Sequence, residues 1–442
     1  MRRVGLLFLC LGYMLLFGSA LWAQEVTLKE ALERALKNNP DIAKAELSLA
    51  IAQSELRAAR GDTFSPTVSI GEQIGLFGAS RSGFSLQLKD TISFDTSLWE
   101  EEKVNLEKSR RSLEATQEEV KRRVVVAYLE VLRGERELAL AQKSLELSRE
   151  KLRRLEEEYG KGEAAAFLLK EVQGECREKE AVVASLKAQL QLYKERFFAL
   201  LGEEMQGDPT FAPLPEFSLF LPEEAHLSDF VDISDTLEDL KGQQQVLEAS
   251  LLRLRRAERP HIALEGTYGK DEWSFSTKYD FSQRSLDVVL ERSLALSGSS
   301  PETFGVGLVI SWDFSPSLAE QKKQVTLKKE MLLLDLATAR QNVLFDLREK
   351  YLAVLKAREI LESKKAVLEA QEEAFAIRKE QFALGALDAV TFLESELQFL
   401  TAQKEYENAR YDLLESFLAF LRATETPISW ETLFAPQGGE KE

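Results

Sequence analysis

Two stretches of the chain carry the same seven-residue repeat of apolar and aromatic residues. Residues 124–162 are VVVAYLEVLRGERELALAQKSLELSREKLRRLEEEYGKG, and residues 347–385 are LREKYLAVLKAREILESKKAVLEAQEEAFAIRKEQFALG. The repeated positions are Val124, Val131, Leu138, Leu145, Leu152 and Tyr159, followed by Leu347, Val354, Leu361, Leu368, Phe375 and Phe382. An apolar residue at every seventh position is typical of long helices that supercoil around neighbouring helices.

The two stretches share one register. Every member of the second set lies 223 positions after its counterpart in the first set. The same offset brings Tyr128 onto Tyr351 and Gly162 onto Gly385. A common register of this kind indicates an internal duplication, which determines the architecture of the whole chain.

Each repeat is predicted to contain a long helix and a shorter return helix, joined by a tight turn at Gly162 or Gly385. The predicted ranges are 24–215 for the first repeat, with helices over about 98–158 and 166–201, and 216–426 for the second repeat, with helices over about 318–381 and 388–424, before a tail over 427–442. A helix of about 60 residues extends about 90 Å.

Four short segments have a period of two, which is typical of strands with two different faces. They are predicted over about 66–77, 83–95, 261–269 and 304–314, with a long Ser-rich loop over 270–302 facing the exterior. One apolar face suits a transmembrane barrel, which has lipid outside and water inside. Strands packed on a soluble core are the alternative. Phe94, Trp312 and Phe314 are expected at a membrane interface.

Four strands are too few to close a barrel, for which about eight is the practical minimum. Strands that enter lipid must therefore come from several copies of the chain, because every backbone group there needs a partner. Three copies in a cyclic assembly would supply twelve strands and leave no edge.

Composition argues against several other classes of protein. The formal net charge of −17 makes general binding to nucleic acid an unfavourable interpretation. The two histidines and two cysteines do not have the spacing of a zinc site. The sequence shows no combination of nucleophile, base and oxyanion donors, and His226 and His261 are interpreted as structural residues. We therefore expect neither enzyme activity nor a cofactor.

The N-terminus has the pattern of an export signal. Arg2 and Arg3 precede an apolar run over 4–17, and small residues then allow cleavage after Ala20 or Ala23. The predicted signal peptide covers 1–23, with an uncleaved anchor helix as the alternative. If the signal is removed, Cys176 is the one remaining cysteine and no intrachain disulfide can form.

Several segments carry a resemblance to a known family. Residues 28–40, LKEALERALKNNP, are similar to its N-terminal signature, and residues 304–314, FGVGLVISWDF, resemble its strand before the second long helix. Residues 382–385, 393–394 and 408–411 resemble its second-repeat tip and return helix. In this order and spacing, the chain resembles the TolC-type outer-membrane efflux family.

The resemblance implies a mainly α fold with a small β part. Three chains would form a 12-stranded β-barrel in the outer membrane, continued by a 12-helix α-barrel in the periplasm. Such a channel passively conducts substrates in a tripartite efflux pump or a type I secretion system. Its partners are a periplasmic adaptor, an inner-membrane transporter and outer-membrane lipid. The helix tips at Gly162 and Gly385 would dock the adaptor.

The resemblance also implies a gate at the periplasmic end. Two acidic positions of the family correspond here to Thr391 and Glu394, so one carboxylate is kept and one is replaced by a hydroxyl. Positions that link the two repeats in family members correspond to Leu168, Phe382 and Leu387. These apolar residues favour an apolar seal over an ionic link. A solvated Glu394 and ordinary helix packing of the apolar residues are the alternatives.

Two other classes of protein fit part of the pattern. A periplasmic adaptor also has an export signal and a helical hairpin, but it has one hairpin within a β-rich chain. A soluble secreted coiled-coil scaffold would have the helices without strands that need lipid. Both alternatives stay open at this point, and fractionation separates them from a channel, which should enter outer-membrane extracts and need detergent.

Overall fold

The computed structural model describes residues 25–61, 67–73, 83–93, 99–217, 219, 221–270, 273–281, 285–295, 302–311 and 316–428. The helices are α1 Leu28–Asn38, α2 Pro40–Gly61, α3 Glu100–Gly160, α4 Ala166–Leu201, α5 Leu227–Val231, α6 Asp235–Ala257, α7 Pro316–Ala383 and α8 Ala389–Ala423. The strands are β1 Glu25–Val26, β2 Thr67–Gln73, β3 Gly83–Ser93, β4 Thr210–Phe211, β5 His261–Lys270, β6 Trp273–Asp280, β7 Ser285–Ala295 and β8 Thr303–Ser311. The predicted fold class, mainly helical with a small sheet part and two tandem repeats, is confirmed.

The described chain divides into two compact units. The helical unit contains the described parts of Met1–Ala43, Ala115–Phe230 and Phe345–Glu442, and the sheet unit contains those of Lys44–Glu114 and Val231–Leu344. The signal peptide over 1–23, the aromatic residues Phe94, Trp312 and Phe314, and the tail over 429–442 lie outside the described residues. Among the described residues, no helix combines the length and the apolar character needed to cross a membrane.

The two helix tips close with the same hydrogen bonds. Gly162 and Gly385 have φ values of 80° and 74°, a left-handed conformation that glycine adopts without steric cost. In the first repeat the Glu163 N–H donates to the Glu158 carbonyl at 2.9 Å, and in the second the Ala386 N–H donates to the Gln381 carbonyl at 2.9 Å. These bonds satisfy helix-end carbonyls and define the same C-terminal cap in both repeats.

The duplicated register extends to the core of the helical unit. Tyr128 on α3 packs against Phe197 on α4 with ring centroids 5.8 Å apart, and Tyr351 on α7 packs against Phe420 on α8 at 6.0 Å. The heptad residues at the same level, Val124 and Leu347, are fully buried. The period of seven therefore identifies a real buried face in each repeat.

The N-terminal Asn-Asn-Pro segment connects two helices. The Asn39 side-chain amide donates to the Leu200 carbonyl at 2.8 Å, near the end of α4. Its side-chain oxygen accepts the Asp41 N–H at 2.8 Å and so caps the start of α2. At the end of α4, Gly202 has a φ of 73°, and a Cβ there would overlap the Asn38 carbonyl oxygen. Glycine is required at this close approach.

The large sheet has six strands in the order β2-β3-β7-β6-β5-β8, and every neighbouring pair is antiparallel. The expectation of a Ser-rich loop over 270–302, and with it the expectation of four strands in the chain, is wrong. β6 and β7 occupy most of this segment and lie in the middle of the sheet. Serine content suggested a loop, but Ser274 and Ser276 alternate with Trp273 and Phe275, a pattern of period two that is typical of a strand.

A second, very small sheet lies in the helical unit. β1 and β4 pair in parallel through two residues, Glu25 with Thr210 and Val26 with Phe211. The hydroxyl group of Tyr128 lies 2.6 Å from the Ala212 carbonyl oxygen and 3.0 Å from the Val26 carbonyl oxygen. This contact attaches the N-terminal segment and the segment after α4 to the long helix α3.

Candidate functional site

One face of the sheet carries rows of apolar residues across strands β3, β7, β6, β5 and β8, with Asp90 and Thr277 as polar residues on the same face. The strand registers align five residues in one row, which are Leu88, Leu290, Phe275, Tyr268 and Phe304, and five more in a second row, which are Ile92, Leu286, Tyr279, Leu264 and Leu308. On the edge strand β8, the side chains of this face are 62–79% exposed in the chain. An exposed apolar area of this extent requires a partner, either lipid or protein.

The opposite face of the same strands is polar. The Thr91 hydroxyl donates to the Asp287 carboxylate at 2.7 Å between β3 and β7. Lys278 on β6 pairs with Glu265 on β5 at 3.3 Å. One apolar face and one hydrogen-bonded polar face are the arrangement of a wall between lipid and water.

A line of ion pairs joins the long helix of the first repeat to the return helix of the second repeat. The basic residues lie mainly on α3 and the acidic residues on α8. The pairs are Arg133–Asp412 at 2.6 Å, Arg133–Glu415 at 2.9 Å, Arg136–Glu407 at 2.8 Å, Lys143–Glu396 at 3.3 Å, Lys151–Glu394 at 2.8 Å and Arg154–Asp388 at 2.9 Å. These contacts hold the two repeats side by side as far as the helix tips.

Two of these pairs lie at the predicted gate. Glu394 is paired with Lys151 of the other repeat at 2.8 Å, and the two side chains remain 45% and 39% exposed to solvent. Asp388 is bonded to Arg154. An ionic link therefore joins the repeats near their tips, at positions different from Leu168, Phe382 and Leu387. The apolar seal at those three residues stays a prediction, and the ion pairs of Lys151 and Arg154 lie near it.

The duplication contains a pattern that points to Lys151 and Arg154. The counterparts of Lys151 and Arg154, 223 positions later, are Ala374 and Ile377. The two repeats therefore differ in charge at the same helical positions near the tip. A comparison of the repeats for charge differences, in addition to shared residues, would have identified Lys151 and Arg154 as candidates.

Thr391 belongs to the N-terminal cap of α8. The Asp388 carboxylate accepts the N–H groups of Val390 and Thr391 at 2.9 Å and 3.0 Å, and the hydroxyl of Thr391 at 2.7 Å. These bonds, together with Arg154, lower the pKa of Asp388 to about 2, with the Thr391 hydroxyl as the largest cause. Asp388 is therefore an anion at neutral pH and is held between the helix N-terminus and a guanidinium.

The three apolar residues predicted for the gate have different environments. Phe382 stacks on Phe392 with ring centroids 4.4 Å apart, and Phe392 and Phe399 both stack on Phe375, which joins α7 to α8 within one hairpin. Leu168 is exposed near the start of α4, and Leu387 is half-buried before α8. The structure thus brings Phe382 into intra-repeat packing. It does not pair Leu168 with the second-repeat residues through any described contact.

The tips present an apolar surface beside the turn glycines. Phe167 and Leu168 are exposed next to the first turn, and Leu384, beside Gly385, is 83% exposed. Within the described part of the chain, no cluster of three or more His, Cys, Asp or Glu residues is arranged to hold a metal ion. The described features are therefore a two-faced sheet, an ion-paired inter-repeat contact and an exposed apolar tip.

Three solved structures show the same fold at low sequence identity. CusC has a TM-score of 0.67 and 15% identity, over 92% of this chain and 95% of its own. The CmeC outer membrane channel of Campylobacter jejuni has a TM-score of 0.65 and 15% identity, over 90% and 85%. The outer membrane protein VceC of Vibrio cholerae has a TM-score of 0.65 and 15% identity, over 90% and 95%. No curated protein matches this chain in sequence.

A family model for outer membrane efflux proteins matches residues 31–203 and 237–424. The two matched segments lie in the two repeats and include α3, α4, α7 and α8 with the line of ion pairs. Because the match covers most of the sequence and the structure has the corresponding fold, the chain belongs to the outer membrane efflux protein family.

Proposed function

We propose that this protein is the outer-membrane channel of a tripartite efflux pump or a type I secretion system. It acts as a homotrimer that extends into the periplasm and passively conducts substrates to the exterior. A periplasmic adaptor and an inner-membrane transporter deliver the substrate and supply the energy. The periplasmic adaptor and secreted scaffold alternatives gain no support from the family or from the solved structures.

The observation that carries this proposal is the two-faced sheet followed by long helices. Both β3 and β8 are followed within a few residues by a long helix, α3 or α7. The apolar face suits lipid and the polar face suits a water-filled interior. A soluble protein would have to cover that apolar face with its own chain, whereas the side chains of β8 are left exposed.

A pair of arginine variants on β8 tests the membrane assignment. Leu308 lies on the apolar face and its neighbour Val309 on the polar face. Leu308→Arg places a charge toward lipid, at a cost of about 2–4 kcal/mol near the bilayer centre, whereas Val309→Arg faces water. We expect much less trimer in the outer-membrane fraction for Leu308→Arg and a near-normal amount for Val309→Arg. Equal amounts of the two variants would contradict the assignment.

We further propose that the ion pairs near the tips hold the resting channel closed. Lys151 and Arg154 keep the start of α8 against α3, and separation of the repeats at this level requires both pairs to break. The exposed apolar residues beside Gly162 and Gly385 are the surface on which the adaptor docks. Adaptor binding that competes for these helix ends would open the gate.

The combined variant Lys151→Met and Arg154→Met removes both pairs and is expected to raise the resting conductance of single channels in planar bilayers. Arg136→Met is the matched control, because Arg136 makes an α3–α8 pair of 2.8 Å further from the tip. Resting conductance should stay unchanged in the control. If the combined variant has the same resting conductance as the unmodified protein, these pairs do not hold the channel closed.

A further inference from the structure

The hairpin of β6 and β7 lies within the sheet and separates the strands of the two repeats. β7 pairs with β3 from Gly83–Ala295 to Ser93–Ser285, along the full length of both strands. β6 pairs with β5 from Ala263–Asp280 to Lys270–Trp273. A sheet of four strands would instead have placed β3 beside β5.

The hairpin has the same two faces as the strands on either side of it. Its apolar side carries Trp273, Phe275, Tyr279, Leu286, Val288 and Leu290, together with Thr277 and with Arg292 beside Trp273. Its polar side carries Ser274, Ser276, Lys278, Asp287 and Glu291, together with Val289. Leu290 lies between Leu88 and Phe275, and Leu286 lies between Ile92 and Tyr279, so the apolar rows continue through it without interruption. A hairpin standing in water outside a membrane has no need of an apolar face aligned with its neighbours.

The polar side is continuous as well. The Thr91–Asp287 hydrogen bond joins the hairpin to β3, and the Lys278–Glu265 ion pair joins it to β5. Both contacts lie on the face opposite the apolar rows. The hairpin therefore fulfils both requirements of a barrel wall, which needs apolar side chains outside and polar side chains inside.

The two edges of the sheet are β2 and β8, and they run in opposite directions because the number of antiparallel strands between them is even. An edge of one copy can thus continue the antiparallel sheet of the next copy, and a cyclic assembly leaves no edge unpaired. We propose that three copies close an 18-stranded barrel, with the β6–β7 hairpin as part of its wall. This inference rests on the proposed function and departs from the twelve strands that the family resemblance implies.

The additional strands change the width of the pore in the membrane. Barrel diameter grows roughly linearly with strand number, so eighteen strands give a diameter about 1.5 times that of twelve at the same tilt. The cross-section is then about twice as large, and barrels of 16–18 strands leave an aqueous channel. This part of the pore could therefore pass substrates that are too wide for a twelve-stranded barrel.

Cysteine pairs in the assembled protein distinguish the two arrangements. In a background with Cys10→Ala and Cys176→Ala, the pair Leu88→Cys and Leu290→Cys joins β3 to β7, where paired residues lie within disulfide reach. The pair Leu264→Cys and Leu308→Cys joins β5 to β8 and should form in either arrangement. Leu88→Cys combined in turn with Ile262→Cys, Leu264→Cys or Tyr268→Cys reports direct contact of β3 with β5.

Each variant is oxidised in outer membranes, purified in detergent and analysed for its disulfide and for its mass. We expect a trimer in which the β3–β7 and β5–β8 disulfides form and no β3–β5 disulfide forms. A trimer with a β3–β5 disulfide, or without the β3–β7 disulfide, overturns the 18-stranded barrel and leaves the proposed channel function intact. A dimer overturns eighteen strands too. Failure of the unmodified protein to reach the outer membrane or to conduct ions overturns the proposed function itself.

Discussion

Removal of one hydroxyl group should weaken the attachment of the N-terminal segment to the helical unit. Tyr128 is 1% exposed, and its hydroxyl is placed to donate to the Ala212 carbonyl at 2.6 Å. Tyr128→Phe keeps the ring and its packing against Phe197, but it removes the hydroxyl donor of the Ala212 carbonyl. The Val26 carbonyl, also near the hydroxyl, still accepts the Ala212 N–H at 3.1 Å.

A buried carbonyl that loses its donor costs about 1–3 kcal/mol, and the Ala212 carbonyl is partly buried, so this range is the upper bound of the expected loss. The two-residue pairing of β1 with β4 contributes few other bonds, so this loss should appear in the local opening of that small sheet. An increase of about 5-fold to 150-fold in the opening equilibrium corresponds to this range. Hydrogen exchange at the Ala212 N–H measures the change directly.

The duplication supplies a matched control. Tyr351 occupies the position of Tyr128 in the second repeat and packs against Phe420, but its hydroxyl makes no hydrogen bond within the described part of the chain. Tyr351→Phe should therefore change stability by no more than about 0.5 kcal/mol. If exchange at Ala212 is as slow in Tyr128→Phe as in Tyr351→Phe, the hydroxyl does not hold β1 and β4 in place.

Burial raises the pKa of Tyr128 well above its usual range. Its contribution to stability should therefore be constant below about pH 10 and decline above about pH 10, where the unfolded chain loses the proton first. The alkaline loss of stability in Tyr128→Phe should lack this decline. The pKa of Asp388 is lowered to about 2, so its stabilisation of the α8 start should be present above about pH 4 and lost as the pH falls toward 2, and NMR titration of Thr391→Val should show the pKa returning toward its ordinary value. Gly202→Ala should lower thermal stability more than Gly207→Ala does. Both glycines have positive φ, a conformation that costs alanine about 1–2 kcal/mol, but only at Gly202 does the new Cβ overlap a backbone carbonyl. Equal losses for the two glycine variants would show that the Asn38 backbone moves aside without cost.

Helix extents and turns were predictable because they depend on local patterns. The long helix predicted over 98–158 lies at Glu100–Gly160, and the return helix predicted over 166–201 lies at Ala166–Leu201. A heptad stripe and a glycine at each turn act through residues that are close in sequence. The buried pairs of Tyr128 with Phe197 and of Tyr351 with Phe420 follow from the same duplicated register.

The sheet was predicted only in part. Strands β2, β3, β5 and β8 have long alternating runs, whereas the serines and other polar residues between Trp273 and Asp280 suggested a loop. Strand formation there depends on pairing with β5 and β7, and the eight residues of β6 do not by themselves show that pairing. Propensity for a strand reflects packing against cross-strand neighbours more than the backbone preference of the segment itself.

The sequence by itself determined the two repeats, the long helices and the positions of their turns, because a repeated apolar period and a left-handed glycine act within a few residues. Only the tertiary structure decided which charges meet across α3 and α8 and which strands become neighbours in the sheet. Folding brings together segments that are distant in sequence, so that Lys151 meets Glu394 and Leu88 lies opposite Leu290. The local sequence around each of these residues is compatible with many partners. The ion pairs near the helix tips and the number of strands in the sheet are therefore properties of the folded chain.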